Sequence, residues 1–167
     1  MMKKMGLLAG VLSLTMVSNA AAAEEVPSRV GGHLGLAVPI VTIADPVRSI
    51  GADYTILGLV TGLNLKLNQR WSIDFETVAY SNFWGGGNIS SIVIDPGVLY
   101  SFDFATVGLR TAVHVTQTQN WGLIPIIVKS FPLGELPIKA YIELDLPVFF
   151  NETGAALTVQ PQGGIAF

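Results

Sequence analysis

From Val30 to Phe167 the chain alternates, residue by residue, between large apolar side chains and small or polar ones. A period of two belongs to β-strands, whose side chains point to opposite faces in turn. A helix would repeat every 3.6 residues, and the Gly or Pro in most of these runs weighs against one as well. Eight runs carry the pattern: 30–40, 55–67, 71–80, 91–102, 105–116, 123–131, 138–149 and 156–167. In the second, Leu57, Leu59, Thr61, Leu63, Leu65 and Leu67 share one parity, against Ile56, Gly58, Val60, Gly62, Asn64 and Lys66. The sixth is apolar on both parities, so its register is the least defined.

The solvent for so many apolar rows is the next question. Half the residues are apolar and only 13% are charged, about half the charge of an ordinary soluble domain. That composition excludes disorder. With nine basic and twelve acidic residues there is no cationic excess to attract nucleic acid. The absence of cysteine removes disulfides, zinc–thiolate sites and thiol catalysis from consideration.

Residues 1–23 read as a cleaved secretion signal. Lys3 and Lys4 form the positive start, Met5 to Val17 the apolar stretch, and Ala20–Ala23 the small-residue cleavage site. The alternative, an N-terminal anchor, needs a longer apolar span of roughly 20 residues. Residues 24–29 are then expected as a short periplasmic N-terminal segment before the strands. No later run reaches the ~18 apolar residues of a membrane helix. A transmembrane β-barrel removes the conflict, because it spreads its lipid-facing residues over every second position. Runs of about 9–12 residues are long enough to cross at a tilt.

Which parity faces inward decides between lipid and water. The polar parity is rich in small residues (Gly31, Gly35, Gly58, Gly62, Gly97, Gly108, Gly164), which suits a crowded narrow interior. The apolar parity is too extensive to fill the inside of eight strands. The expectation is therefore a single eight-stranded, antiparallel, up-and-down transmembrane β-barrel over 30–167. A soluble, exported, lipocalin-like barrel, with apolar side chains inside and an apolar ligand to bind, is the competing arrangement. Connections alternate between longer (41–54, 81–90, 117–122, 150–155) and tighter (68–70, 103–104, 132–137), as in outer-membrane barrels. Aromatic residues gather at strand ends, where amphipathic rings favour a membrane interface. Trp71, Tyr100, Phe102, Phe104 and Phe167 are expected in one girdle, and Tyr54, Tyr80, Trp84, Trp121, Phe149 and Phe150 in the other.

With these features the chain resembles the small eight-stranded outer-membrane β-barrels of Gram-negative bacteria. The resemblance covers essentially all of 30–167. Its most specific match is the C-terminal Phe167, with Ile165 and Val159 in phase; Gly163 and Pro161 depart from the pattern. Pro161 lacks an N–H and is expected at a bulge or irregularity. The resemblance implies export to the outer membrane, contact with its lipid and lipopolysaccharide, and insertion by the barrel assembly machinery through the Phe167 signal. It implies location more than activity.

The polar parity supplies the candidate site residues. Lys66, Asp74, Glu76, Asp95, Arg110, His114, Lys139, Tyr141, Glu143 and Asp145 are expected to form an interior network, with Lys129 as a neighbour. Interior charges must be paired. Register across the tight turns sets Arg110 opposite or diagonal to Asp95, and Lys66 opposite or diagonal to Asp74. Such a network either plugs the interior or lines a narrow channel, and an eight-stranded interior is nearly filled by side chains. A third possibility is an enzyme: lipid A deacylases carry His-x-Ser, which His114-Val115-Thr116 resembles, with Glu143 or Asp145 as the carboxylate. Thr stands where that family has Ser, and His114 has inward parity. His33, also inward, lacks the partners of a metal site. Phe83 and Trp84 beside Gly85–Gly87 form a loop suited to an interfacial anchor or a partner contact. The Asn88 and Asn151 sequons read as ordinary loop residues. The functional expectation is a monomeric, non-enzymatic barrel with a structural or surface-interaction role, requiring no cofactor, metal or nucleic acid.

Overall fold

A computed structural model describes residues 29–44, 47–50, 56–82, 87–116, 120–152 and 154–167. The expected secretion signal at 1–23, nearly all of 24–29, and the residues Tyr54, Phe83 and Trp84 lie outside them. Among the described residues every regular element is a β-strand. They are β1 (Val30–Ala37), β2 (Val41–Ala44), β3 (Val47–Ile50), β4 (Ile56–Lys66), β5 (Trp71–Asn82), β6 (Ile89–Ser101), β7 (Thr106–His114), β8 (Trp121–Pro132), β9 (Lys139–Asp145), β10 (Val148–Asn151) and β11 (Gly154–Ala166).

All pairings are antiparallel, and hydrogen bonds close a ring through eight strands in the order β1, β4, β5, β6, β7, β8, β9, β11 and back to β1. At the seam, Gly32 and Phe167 exchange both backbone hydrogen bonds at 2.9 Å. β10 continues β9: the register of both against β8 and β11 is unbroken, and only Pro147, which has no N–H, interrupts the ladder.

β2 likewise continues β1, but with a slip. Ala37 pairs with Gln162 and Val41 with Val159, so residues 38, 39 and 40 stand opposite only 160 and 161. This is a β-bulge. Val38 N donates to Pro161 O and Ile40 N to Val159 O, leaving Pro39, which has no N–H, as the residue between them. The irregularity expected at Pro161 is present, with its extra residue on the facing strand. The bulge reverses the parity: Leu36, Val38 and Ile40 point outward before it, whereas Ile43 does so after it. The expectation that 41–54 is simply a loop is therefore corrected, since β2 and β3 form a hairpin within it.

Elsewhere the alternation sorts side chains as its period requires. Val60 and Val78, with Ala37, form one interior apolar cluster; Val93, Leu99, Ala112, Ile124 and Ile126 form another. The opposite parity is exposed on the outer wall, with Leu59 57% and Leu63 61% accessible, and Ile73, Val98, Leu109, Ile127 and Ile142 beside them.

Candidate functional site

The ring interior carries the charged residues. Arg110, on β7, is 1% exposed and sits at the centre. Its Nη2 lies 2.7 Å from Asp74 Oδ2, and its Nη1 lies 3.1 Å from Glu76 Oε1 and 2.7 Å from Glu143 Oε1. Asp74 and Glu76 are two residues apart on β5 and so share a face. Glu143 comes from β9 on the other side of Arg110. One guanidinium thus ties together three strands, none adjacent to another in the ring. Its planar array of donors suits that geometry.

A second layer of partners holds the carboxylates. His33 Nε2 lies 2.7 Å from Glu76 Oε2, and Gln162 Nε2 donates to the same oxygen at 3.0 Å. Gln162 Nε2 also lies 3.3 Å from the Tyr141 hydroxyl, and Asn64 Nδ2 donates to Asp74 at 3.4 Å. Glycine makes room for this arrangement: a Cβ on Gly62 would stand 2.0 Å from the His33 ring. Toward the loop end, the Tyr80 hydroxyl donates to Gln160 Oε1 at 2.7 Å, and Gln160 Nε2 donates to Asp145 at 3.2 Å. Asp95 Oδ1, Asp145 Oδ1 and Gln162 Oε1 accept no hydrogen bond among the described residues.

Most of the expected interior set comes together. Asp74, Glu76, Asp95, Arg110, Tyr141, Glu143 and Asp145 are all buried. Arg110 is diagonal to Asp95, as register allows, but at 3.9 Å that contact is its weakest. Lys66 is also diagonal to Asp74, since Asp74 pairs with Asn64 and Lys66 with Ser72. Lys66 and Lys139 are exposed and line the turn-end mouth, and no ion pair joins Lys66 to Asp74 among the described residues. Lys129 belongs to the outer wall, where its ammonium meets the Phe104 carbonyl, so the interior is not its place.

His114 faces inward and bonds Ser91 Oγ through Nδ1 at 2.7 Å. Thr116 Oγ1 instead accepts from the Ile92 N–H, Glu143 is held by Arg110 and Asp145 by Gln160, so the partner of His114 is Ser91 and not Thr116 or either carboxylate. Gln160, Gln162 and Ser91 were not among the expected site residues. Neutral polar residues on an inward parity carry no charge signal, although the parity itself places them.

The aromatic expectation needs correction at two positions. Trp71, Tyr100, Phe102 and Phe104 form a continuous outer ladder at the turn end, with ring separations of 4.8, 4.8 and 5.7 Å along it. Arg70 Nη1 donates to the Tyr100 hydroxyl at 3.1 Å. Trp121 and Phe150 meet at 4.7 Å at the loop end. Tyr80 and Phe149, however, point inside: both pack on the interior apolar cluster, and Phe149 lies 4.4 Å from the His114 ring. Each has the inward parity of its strand, which outweighs its position near a strand end.

Two cavities flank the charged layer. The turn-end cavity is about 600 Å³, with Lys66, Lys139 and Ser130 at its mouth and Arg110, Asp74 and Glu143 at its floor. The loop-end cavity is about 390 Å³ and is floored by Tyr80 and Gln160. No family model matches this chain, and neither does any curated protein or solved structure.

Proposed function

We propose that the chain is an eight-stranded transmembrane β-barrel of a Gram-negative outer membrane, non-enzymatic, with a structural or surface-interaction role. The observation that carries the reading is the inverted sorting of side chains: ionisable groups inside the ring, rows of Leu, Ile and Val outside it. A water-soluble barrel has the opposite need, because its apolar rows must leave water. A bilayer accepts the apolar wall, and each of the eight strands of the closed ring is paired on both sides, with only the β2–β3 hairpin extending beyond it. The aromatic ladder at one rim and the Trp121–Phe150 pair at the other fit interfacial girdles. Export by the 1–23 signal, contact with outer-membrane lipid and lipopolysaccharide, and insertion by the barrel assembly machinery through Phe167, Ile165 and Val159 belong to the same proposal.

The interior supports a plug rather than a channel. Arg110 and its carboxylates bridge the ring between the two cavities, and apolar clusters pack beside them. The role then rests on the barrel as an anchor that presents its loops.

The test is electrophoresis of protein folded in detergent, with and without boiling. Different mobilities support the barrel. Identical mobilities, with partition into the aqueous phase on detergent phase separation, would support a soluble protein.

A further inference from the structure

The loop-end cavity differs in kind from the turn-end one. Among the described residues, no Asp, Glu, Lys or Arg lines it. Its walls include Pro39, Ile56, Pro147 and Phe149, and its volume of about 390 Å³ lies within the range of small-molecule sites. Its floor is fixed: the Tyr80 hydroxyl is committed to Gln160, and Gln160 to Asp145. Thr42 and Thr158, on the rim, bond each other at 3.1 Å.

Deeper than the rim threonines, one polar pair couples an imidazole to a hydroxyl. Ser91 Oγ and His114 Nδ1 are 2.7 Å apart, and both line the cavity. If the serine hydroxyl donates, the other ring nitrogen carries N–H and is a donor, while Ser91 Oγ can accept. If Nδ1 donates, the serine hydroxyl is the free donor and the other ring nitrogen accepts. Either tautomer therefore offers a guest one donor and one acceptor. The ring is held in place by Phe149. A charged guest would lose its hydration without a counter-charge among the described lining residues, which is costly. An apolar guest with one hydroxyl or carbonyl loses little and satisfies the pair.

We infer that this cavity binds an uncharged amphiphile, its apolar body against Phe149 and Ile56 and its single hydroxyl or carbonyl on the Ser91–His114 pair. This adds a ligand site to the proposed function and does not depend on the membrane, because it uses only interior residues.

The test uses 2-naphthol as the probe and the full chain in lipid nanodiscs, or in buffer should the protein prove soluble. The readout is the His114 imidazole resonance. A saturable shift is expected there, with none at His33 beyond the charged layer. Ser91→Ala should weaken binding about fivefold to tenfold, the loss of one hydrogen bond. Ile56→Trp, which fills the cavity, should abolish it, with circular dichroism confirming the fold; if that variant does not fold, Ser91→Ala decides. 2-Naphthoate and 2-naphthylmethylammonium should not compete. A shift that rises linearly with probe, is indifferent to Ser91→Ala, or is matched by the charged analogues would overturn the inference.

Discussion

Arg110 reaches across the interior to Glu143, Nη1 to Oε1 at 2.7 Å, although β8 separates their strands. The same nitrogen lies 3.1 Å from Glu76 on the opposite side. A single side chain therefore links β5, β7 and β9 and spans the interior at that level.

Removing that side chain should be costly. Arg110→Met leaves Asp74, Glu76 and Glu143 buried without their counter-charge, a change worth roughly 3–5 kcal/mol. Glu143→Gln keeps an acceptor for Arg110 and should cost less. Denaturant unfolding in lipid vesicles measures both. Equal stability of Arg110→Met and the parent would show that the cluster does not hold the ring.

Gly62→Ala should act through His33. The added methyl would stand 2.0 Å from the His33 ring, so the ring must shift and lose its 2.7 Å bond to Glu76. A loss of about 1–2 kcal/mol is expected. In a His33→Ala background the same change should cost much less. An undiminished cost there would place the clash elsewhere.

The outer wall offers a sharper contrast. Leu63 is 61% exposed, so in a soluble protein Leu63→Arg would change stability by less than ~0.5 kcal/mol. Facing hydrocarbon, it should cost about 2–4 kcal/mol, whereas arginine at the outward rim position Val115 should cost ~0–1 kcal/mol. Folding into vesicles over a denaturant series distinguishes the cases, and two near-neutral values would argue against a lipid-facing wall.

The plugged interior predicts electrical silence. Purified protein in a planar bilayer should give no regular conductance steps in molar potassium chloride. Steady steps would favour the narrow channel.

How much of this was legible in the sequence follows from its period. Parity alone put Asp74, Glu76, Asp95, Arg110, Glu143 and Asp145 on one face, because a strand leaves a side chain only two directions. Parity also holds for Tyr80 and Phe149, whose placement in a girdle followed strand-end position instead. What periodicity could not supply was pairing at long range. Arg110 meets Glu143 because of how strands pack around the ring, and its link to Asp74 is closer than the foreseen one to Asp95. The β2–β3 hairpin escaped notice because the bulge at residues 38–40 reverses the alternation just before it. His33 has inward parity, but its partner Glu76 is 43 residues away on β5, and the two meet across Gly62, which pairs with both.

The central claim is that hydrocarbon touches the outward Leu, Ile and Val rows, and fluorescence quenching tests it most directly. Leu63→Trp, in a chain whose Trp71, Trp84 and Trp121 are replaced by Phe, provides one reporter in the middle of an outward row. Folded into vesicles of phospholipid brominated along its acyl chains, it should be strongly quenched, and unaffected by aqueous iodide. Quenching by iodide with no effect of the bromines would contradict the claim.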